Sequence, residues 1–281
     1  MALARDRCIC LRKFEYSETS QILTLFGREH GLLRVMAKGA HRRTKAGASK
    51  FDGGVDLLDL GQAVFTFDTA RELQTLTEWH LLEGHLELRR DLRSIYLALY
   101  AAELVSVLLE AHDPHRELFD RMEHTLGALA TPRREEVFLA FELELFRETG
   151  YLPELNACVS CGQVINGLPA GGFSPSRSGV ICRNCEAVVH DRISLDPRLL
   201  RLLQSLLRLP RQQGATQRLP QLTRHQTDPL NRLLATYIQH TLGRRLRLPD
   251  YVIPPVQAGT LPPLAPPPPP LPPPPPPPPP P

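Results

Sequence analysis

The chain has 281 residues, 42% of them hydrophobic, and 33 Lys and Arg against 30 Asp and Glu give a formal net charge of +3. That length and apolar share are enough for a sizeable core, in one large domain or two to three small ones, and the class is globular. A charge so near zero excludes any argument from net charge to a partner, so the distribution of charge along the chain has to carry it.

The N-terminus, MALARDRCICLRKF, places charges where a signal peptide needs an uninterrupted apolar stretch, and the most apolar later run, Leu97 to Leu109, contains Glu103. The expectation is a soluble cytoplasmic protein in a reducing compartment, without a membrane partner. From Arg7 to Trp79 the pattern is short β-type runs separated by turn residues. Arg7 to Phe14 alternates, Gln21 to Phe26 (QILTLF) and Leu32 to Met36 (LLRVM) flank the turn Gly27 to Gly31 as a hairpin, and further runs follow at Val55 to Leu60, Ala63 to Phe67 and Leu73 to Trp79. Five or six short strands suit a small barrel better than a sandwich, and an OB-like barrel over residues 1–80 is expected. Cys8 and Cys10, two apart on one face of the first strand, are expected to be buried or half-buried free thiols.

Between Leu32 and Lys50 stand Arg34, Lys38, Arg42, Arg43, Lys45 and Lys50, with no acidic residue among them. Small residues and glycines make Ala37 to Gly54 a loop between strands. Its cations can lie along a phosphate backbone, which is the sequence-independent part of nucleic-acid binding. On a barrel whose groove takes single strands these six residues are the expected DNA contacts. Aromatics to stack on bases are few: Phe14, Tyr16, Phe51, Phe65 and Phe67, most of them better suited to the core.

After Trp79 the period becomes helical. Leu97, Tyr100, Ala101, Leu104, Val105, Leu108 and Leu109 follow the i, i+3, i+4 rule, as do Leu230, Leu233, Leu234, Tyr237, Ile238, Thr241 and Leu242. Thr131 is the expected N-cap of a helix with Pro132 in its first position and Gly150 as its stop. Further helices are expected near Asp196 to Leu209 and Pro229 to Leu248. Arg198, Arg201 and Arg208 fall on one helix face, and Arg244, Arg245 and Arg247 crowd the last helix's C-terminus, where they also complement its dipole. All this forms an all-α domain over residues 81–253.

Inside that domain, at about residues 156–187, Cys158 and Cys161 form one CxxC pair and Cys182 and Cys185 another. Each pair offers two sulfurs from one tight turn, and a Gly- and Pro-containing excursion returns the second turn to the first. Four thiolates close a tetrahedron around one Zn²⁺ and leave no position for water or substrate, so the ion is expected to be structural. Some thirty residues bury little apolar surface, whereas structural zinc supplies roughly 10–16 kcal/mol of apparent binding energy to such modules. Disulfides are disfavoured because nothing points to secretion. His85-Leu86-Glu87 imitates the H-x-E of zinc deaminases, but Ala157 rather than proline precedes Cys158, and a histidine ligand would leave Cys182 and Cys185 unexplained. Phosphate-loop, nucleophile-elbow and dinucleotide fingerprints are missing, so an enzyme is not expected. Residues 254–281, with ten terminal prolines set off from five more by Leu271, are expected to be a solvated polyproline II tail.

With those residues laid out, the chain resembles the RecO family of bacterial DNA repair proteins. SETSQILTLFGREHGLLRVMAKGAHR is similar to the family's hairpin and basic loop, LTEWHLLEG to its barrel exit, FELELFRETGYLPELNACVSCG to its helix into the zinc module, GGFSPSRSGVICRNC to the returning turn and LLATYIQHTLGRRLRLPDYV to its last helix. It departs from the family at Thr44 to Gly54, where a more basic and aromatic stretch is expected. The resemblance implies an OB barrel followed by a helical domain with a zinc module inside it. It implies a nucleoid-associated mediator of homologous recombination that binds single- and double-stranded DNA and anneals complementary strands coated by single-stranded-DNA-binding protein. RecR is an implied partner in loading RecA, and the acidic tail of the single-strand-binding protein is expected to dock on the helical domain. The competing class is a zinc-ribbon RNA-binding or ribosome-associated factor, built from the same barrel and basic loop, and a third reading is a metal-dependent nucleic-acid-modifying enzyme.

Overall fold

Five strands at the N-terminal end close on themselves: β1 (Ala2–Ser17), β2 (Ser20–Gly27), β3 (Gly31–Ala37), β4 (Leu60–Phe67) and β5 (Gln74–Glu83). The computed structural model describes residues 2–40, 50–51, 54–165, 170–208 and 220–253. Going round the barrel the order is β1-β2-β3-β5-β4, with β3 and β5 parallel and the other pairs antiparallel. The length of β1 makes closure feasible, because its first half pairs with β4 from Ala2 to Ile9 and its second half with β2 from Cys8 to Ser17. Register shifts near Leu11 and Tyr16 bend it between the two partners. The result is the expected OB-like barrel.

Alternation sends Cys8, Cys10, Leu23, Leu25, Leu33, Val35, Phe65, Leu76 and Trp79 into the lumen, all buried. Both thiols are thus core atoms, and burial raises their pKa above the ordinary thiol value. Val55 to Leu60 is not the sixth strand. Leu58 adopts φ 68°, and the N–H groups of Val55, Asp56 and Leu57 go to side chains, so that backbone bonding with β1 is limited to Leu58 N donating to Cys10 O and Cys10 N to Asp59 O. Asp59 Oδ2 accepts from Asp56 N at 2.7 Å and Asp56 Oδ1 from Leu57 N at 2.9 Å. Such aspartate turns compete with a sheet ladder. Buried Gln21 fixes the segment by bonding both Val55 N and Val55 O.

The helical body holds α1 (Leu92–Leu108), α2 (Arg116–Ala128), α3 (Arg134–Glu148), α4 (Pro197–Leu207), α5 (Arg224–Leu242) and a short α6 (Pro249–Val252). Helix α2 lies in a stretch for which the sequence reading gave no element. Helix α3 begins at Arg134 instead of at Pro132, because Thr131 closes a separate turn by accepting from Arg134 N. Its far end is as expected, with Gly150 at φ 76°. Asp196 caps α4 by accepting from Arg198 N at 2.7 Å. Helix α5 starts five residues before Pro229, since Thr223 and Gln226 form a capping box ahead of it. Pro229 lies in the second turn, past the unpaired N–H groups of the first, and forgoes one intrahelical hydrogen bond there.

Barrel and helices share one apolar layer: Ile9, Leu11, Phe26 and Leu32 on the outer face of the sheet are buried with Phe119 and the α1 side chains. Phe26 meets Phe119 edge-on at 5.5 Å, and Arg28 grips Asp120 with two bonds of 2.7 and 2.8 Å. Within the body, Arg93 joins α1 to α3 and α5 through Glu135 and Asp228. Among the described residues, no helix is long and apolar enough to cross a membrane. The Pro-rich tail from residue 254 onward lies outside the described residues.

Candidate metal centre and nucleic-acid interface

Between α3 and α4 the chain makes the small hairpin β6 (Ala170–Ser174) and β7 (Gly179–Cys182), and both cysteine pairs hang from its base. The first pair sits in a tight turn closed by Gly162 N donating to Cys158 O at 2.8 Å. Glu154 and Val159 then pair with Ser178 and Val180 through backbone bonds, which lay the first turn against the second. Gly179 permits this approach: a Cβ there would meet Glu154 O at 2.6 Å. The second pair opens a 3₁₀ turn over Arg183–Val188. Phe173 anchors the module edge-on against Tyr237 of α5 at 5.7 Å, and Gln204 of α4 donates to Leu155 O at 2.7 Å.

The four sulfurs of Cys158, Cys161, Cys182 and Cys185 lie within 4.8 Å of one another, and Cys161 and Cys182 are 3.7 Å apart. Sulfurs at about 2.3 Å from a shared ion stand about 3.8 Å from each other, so the spacing suits a tetrahedral cation. Cys158 and Cys182 are buried while Cys161 is exposed. Burial would push the Cys158 thiol up, but N–H groups of Cys182, Ser160 and Cys161 aimed at its sulfur hold it at about 6. Ser160 favours the Cys185 thiolate, yet the neighbouring sulfurs of Cys161 and Cys182 outweigh it and push that thiol to about 12. One thiolate forms readily and the next is resisted, which is the electrostatics of a donor set completed by a cation. His85 takes no part; its charged neighbours are Glu83 and Glu123.

Of the six expected DNA-contacting residues, Arg42, Arg43 and Lys45 lie outside the described residues. Arg34 is exposed on β3 and ion-paired with Glu72. Lys38 and Lys50 are both exposed and line one end of an open cleft of about 480 Å³, together with Tyr16, Ser17, Thr19, Ser20, Met36 and Phe51. Neither lysine has a carboxylate partner among the described residues. Phe51 and Phe65 are buried as expected, and Phe67 is half-buried against His30 and His112. Phe14 and Tyr16 are not core: they are 64% and 61% exposed. They keep the even spacing of the inward Cys8 and Cys10 but come after a register shift in β1, which turns them outward.

Two family models match the chain in succession, the recombination protein O N-terminal model over residues 1–85 and the C-terminal model over residues 89–249. The chain belongs to the RecO family. Similar RecO-family proteins named DNA repair protein RecO include that of Anaeromyxobacter dehalogenans strain 2CP-C, 34% identical over 251 residues, covering 85% of this chain and 91% of the relative. The RecO protein of Myxococcus xanthus is 30% identical over 248 residues, covering 88% and 96%. That of Caldanaerobacter subterraneus is 27% identical over 255 residues, covering 90% and 98%. The junction of the two RecO models falls between β5 and α1.

Proposed function

We propose that this chain is a mediator of homologous recombination that binds single- and double-stranded DNA and anneals complementary strands coated by single-stranded-DNA-binding protein. It works with RecR to help load RecA in the RecF pathway, at the nucleoid in the cytoplasm, and it performs no covalent chemistry. The barrel of residues 1–80 supplies the DNA contacts Arg34, Lys38, Arg42, Arg43, Lys45 and Lys50. The helical domain of residues 81–253 receives the acidic tail of the single-strand-binding protein, and its module at about 156–187 holds one structural Zn²⁺ through Cys158, Cys161, Cys182 and Cys185.

The observation that carries this reading is the pair of exposed lysines, Lys38 and Lys50, without a carboxylate partner among the described residues, at the barrel cleft of a RecO-family chain. Cations there neutralise phosphates on two strands, lower their mutual repulsion and let bases pair. Arg34 joins them at small cost, because an exposed pair such as Arg34–Glu72 contributes at most about 1 kcal/mol. The test is annealing of complementary strands pre-coated with their binding protein. Accelerated pairing of coated DNA is the expected result. A selective shift of RNA with no effect on coated DNA sinks the reading in favour of an RNA-binding factor.

A further inference from the structure

The outer face of the barrel is divided by register into rows. Arg12, Thr24 and Arg34 are cross-strand partners in one row, and Phe14, Ile22 and Met36 in the next. Leu23 and Val35, the residues between them on β2 and β3, point inward to the core. The second row is therefore an outward apolar strip, with Phe14 largely exposed and Ile22 and Met36 half-covered. Tyr16 extends it into the cleft that holds Lys38 and Lys50.

At the other end of the strip the helical body supplies a second group of cations. Arg12 Nε donates to Ser106 Oγ at 3.1 Å and Arg244 Nη2 to Val107 O at 3.4 Å, so both guanidinium groups meet the last turns of α1. Glu103, one turn earlier, accepts from Arg247 N and Leu248 N at 2.9 Å each. Its carboxylate is engaged by backbone there and acts on Arg12. Burial lowers the pKa of Arg12, Glu103 opposes that, and Arg244 and Arg247 lower it further, which fits cations held close together with too little negative charge between them. Arg12 and Tyr16 are four residues apart on β1, roughly 13 Å along the strand.

We infer that Phe14 and Tyr16 of β1, with Ile22 of β2 and Met36 of β3 beside them, form a base-stacking floor for single-stranded DNA whose backbone is held by Lys38 and Lys50 at one end and by Arg12, Arg244 and Arg247 at the other. The inference rests on the DNA-binding reading and deepens it: the helical domain completes the strand site, and the barrel alone carries half of it. A floor of aromatic and apolar side chains gains nothing from a duplex, whose base faces are stacked inside. Every unpaired base has a π-face to offer it. The cations alone attract either form of DNA. The floor is what makes this face select single strands.

The test uses the full chain with two probes of equal length and charge, an oligothymidine and an abasic phosphodiester strand, titrated at several salt concentrations. The intact protein is expected to bind the thymidine strand about 10-fold or more tightly than the abasic one, as stacking on two aromatics allows. Phe14→Leu with Tyr16→Leu removes that preference and leaves the salt slope in place, while Tyr16→Phe retains it. Arg244→Ala with Arg247→Ala does the reverse: the preference stays, and the slope of log affinity against log salt falls by as much as about 1.4, at about 0.7 per single-strand phosphate contact. Preference surviving the double leucine change overturns the floor. So does a result in which those leucines leave strand binding alone but abolish binding of an acidic peptide ending in an aromatic residue, which makes the strip a peptide dock. If the unmodified protein binds neither strand, the DNA-binding reading itself fails, and the floor with it.

Discussion

The barrel carries its own core, a closed set of inward side chains around Trp79 and Phe65, whereas the cysteine module between Leu155 and Val189 shares its apolar residues with the helical body. Phe173, Val180 and Ile181 of the module are buried, but they pack in the same cluster as Tyr237 and Phe146 of the helices. A five-stranded sheet that closes leaves no unpaired edge and needs no outside help. A two-stranded hairpin has two edges and too little surface to bury, so it requires a crosslink and a neighbour. The two regions should therefore fail separately and for different reasons.

The strongest way to break this contrast is at the sulfurs. Cys182→Ser, or removal of the metal by a chelator, is expected to abolish a contribution on the order of 10–16 kcal/mol to the module. Metal content and protease resistance of residues 155–190 should fall together, while the barrel amides keep their exchange protection. Full metal occupancy in that variant contradicts a four-cysteine site. The complementary change is in the lumen. Trp79→Ala empties the largest buried side chain of the barrel and is expected to cost about 3–5 kcal/mol, read by denaturant unfolding, with metal content unchanged.

A smaller effect distinguishes the helical body from both. Glu142 is fully buried there, with Tyr100 its bonded neighbour at 3.5 Å and one carboxylate oxygen without a partner among the described residues. Burial raises its pKa well above the ordinary 4.5, with Tyr100 only partly opposing the shift. A raised folded-state pKa contributes stability below the unfolded value and loses it as pH rises, so at neutral pH the group opposes folding. Glu142→Gln is expected to raise stability by about 1–3 kcal/mol at pH 8, and the gain should shrink as pH falls toward 4.5. A melting difference independent of pH contradicts a buried neutral carboxyl.

The smallest effect on stability is expected where the effect on function is large. Replacing Lys38, Arg42, Arg43 and Lys45 with alanine should change stability by no more than about 0.5 kcal/mol each. The slope of log affinity against log salt should flatten by roughly 2 to 3 for single strands. Annealing should decline with it and the melting transition should stay in place. An unchanged slope in the folded quadruple variant moves the phosphate contacts to the arginines of the helical domain.

What the sequence determined by itself is what short stretches of chain decide alone. CxxC turns place two sulfurs through local geometry, and Gly150, Asp196 and Pro197 mark helix ends because the conformations they favour are their own. The β-type period named inward residues in advance, including Cys8 and Cys10. Local signals misplaced Val55 to Leu60, where aspartate side chains and distant Gln21 outcompete a strand, and they left Phe14 and Tyr16 undecided between core and surface. Only tertiary structure decided those two, because β1 turns its apolar residues outward past a bulge whose position depends on pairing with β2. It alone joined the β1 and β4 edges into a barrel, and it alone brought Arg12 beside Arg244 and Arg247. Residues more than two hundred positions apart meet through the shared apolar layer of sheet and α1, and no period or motif along the chain records that contact.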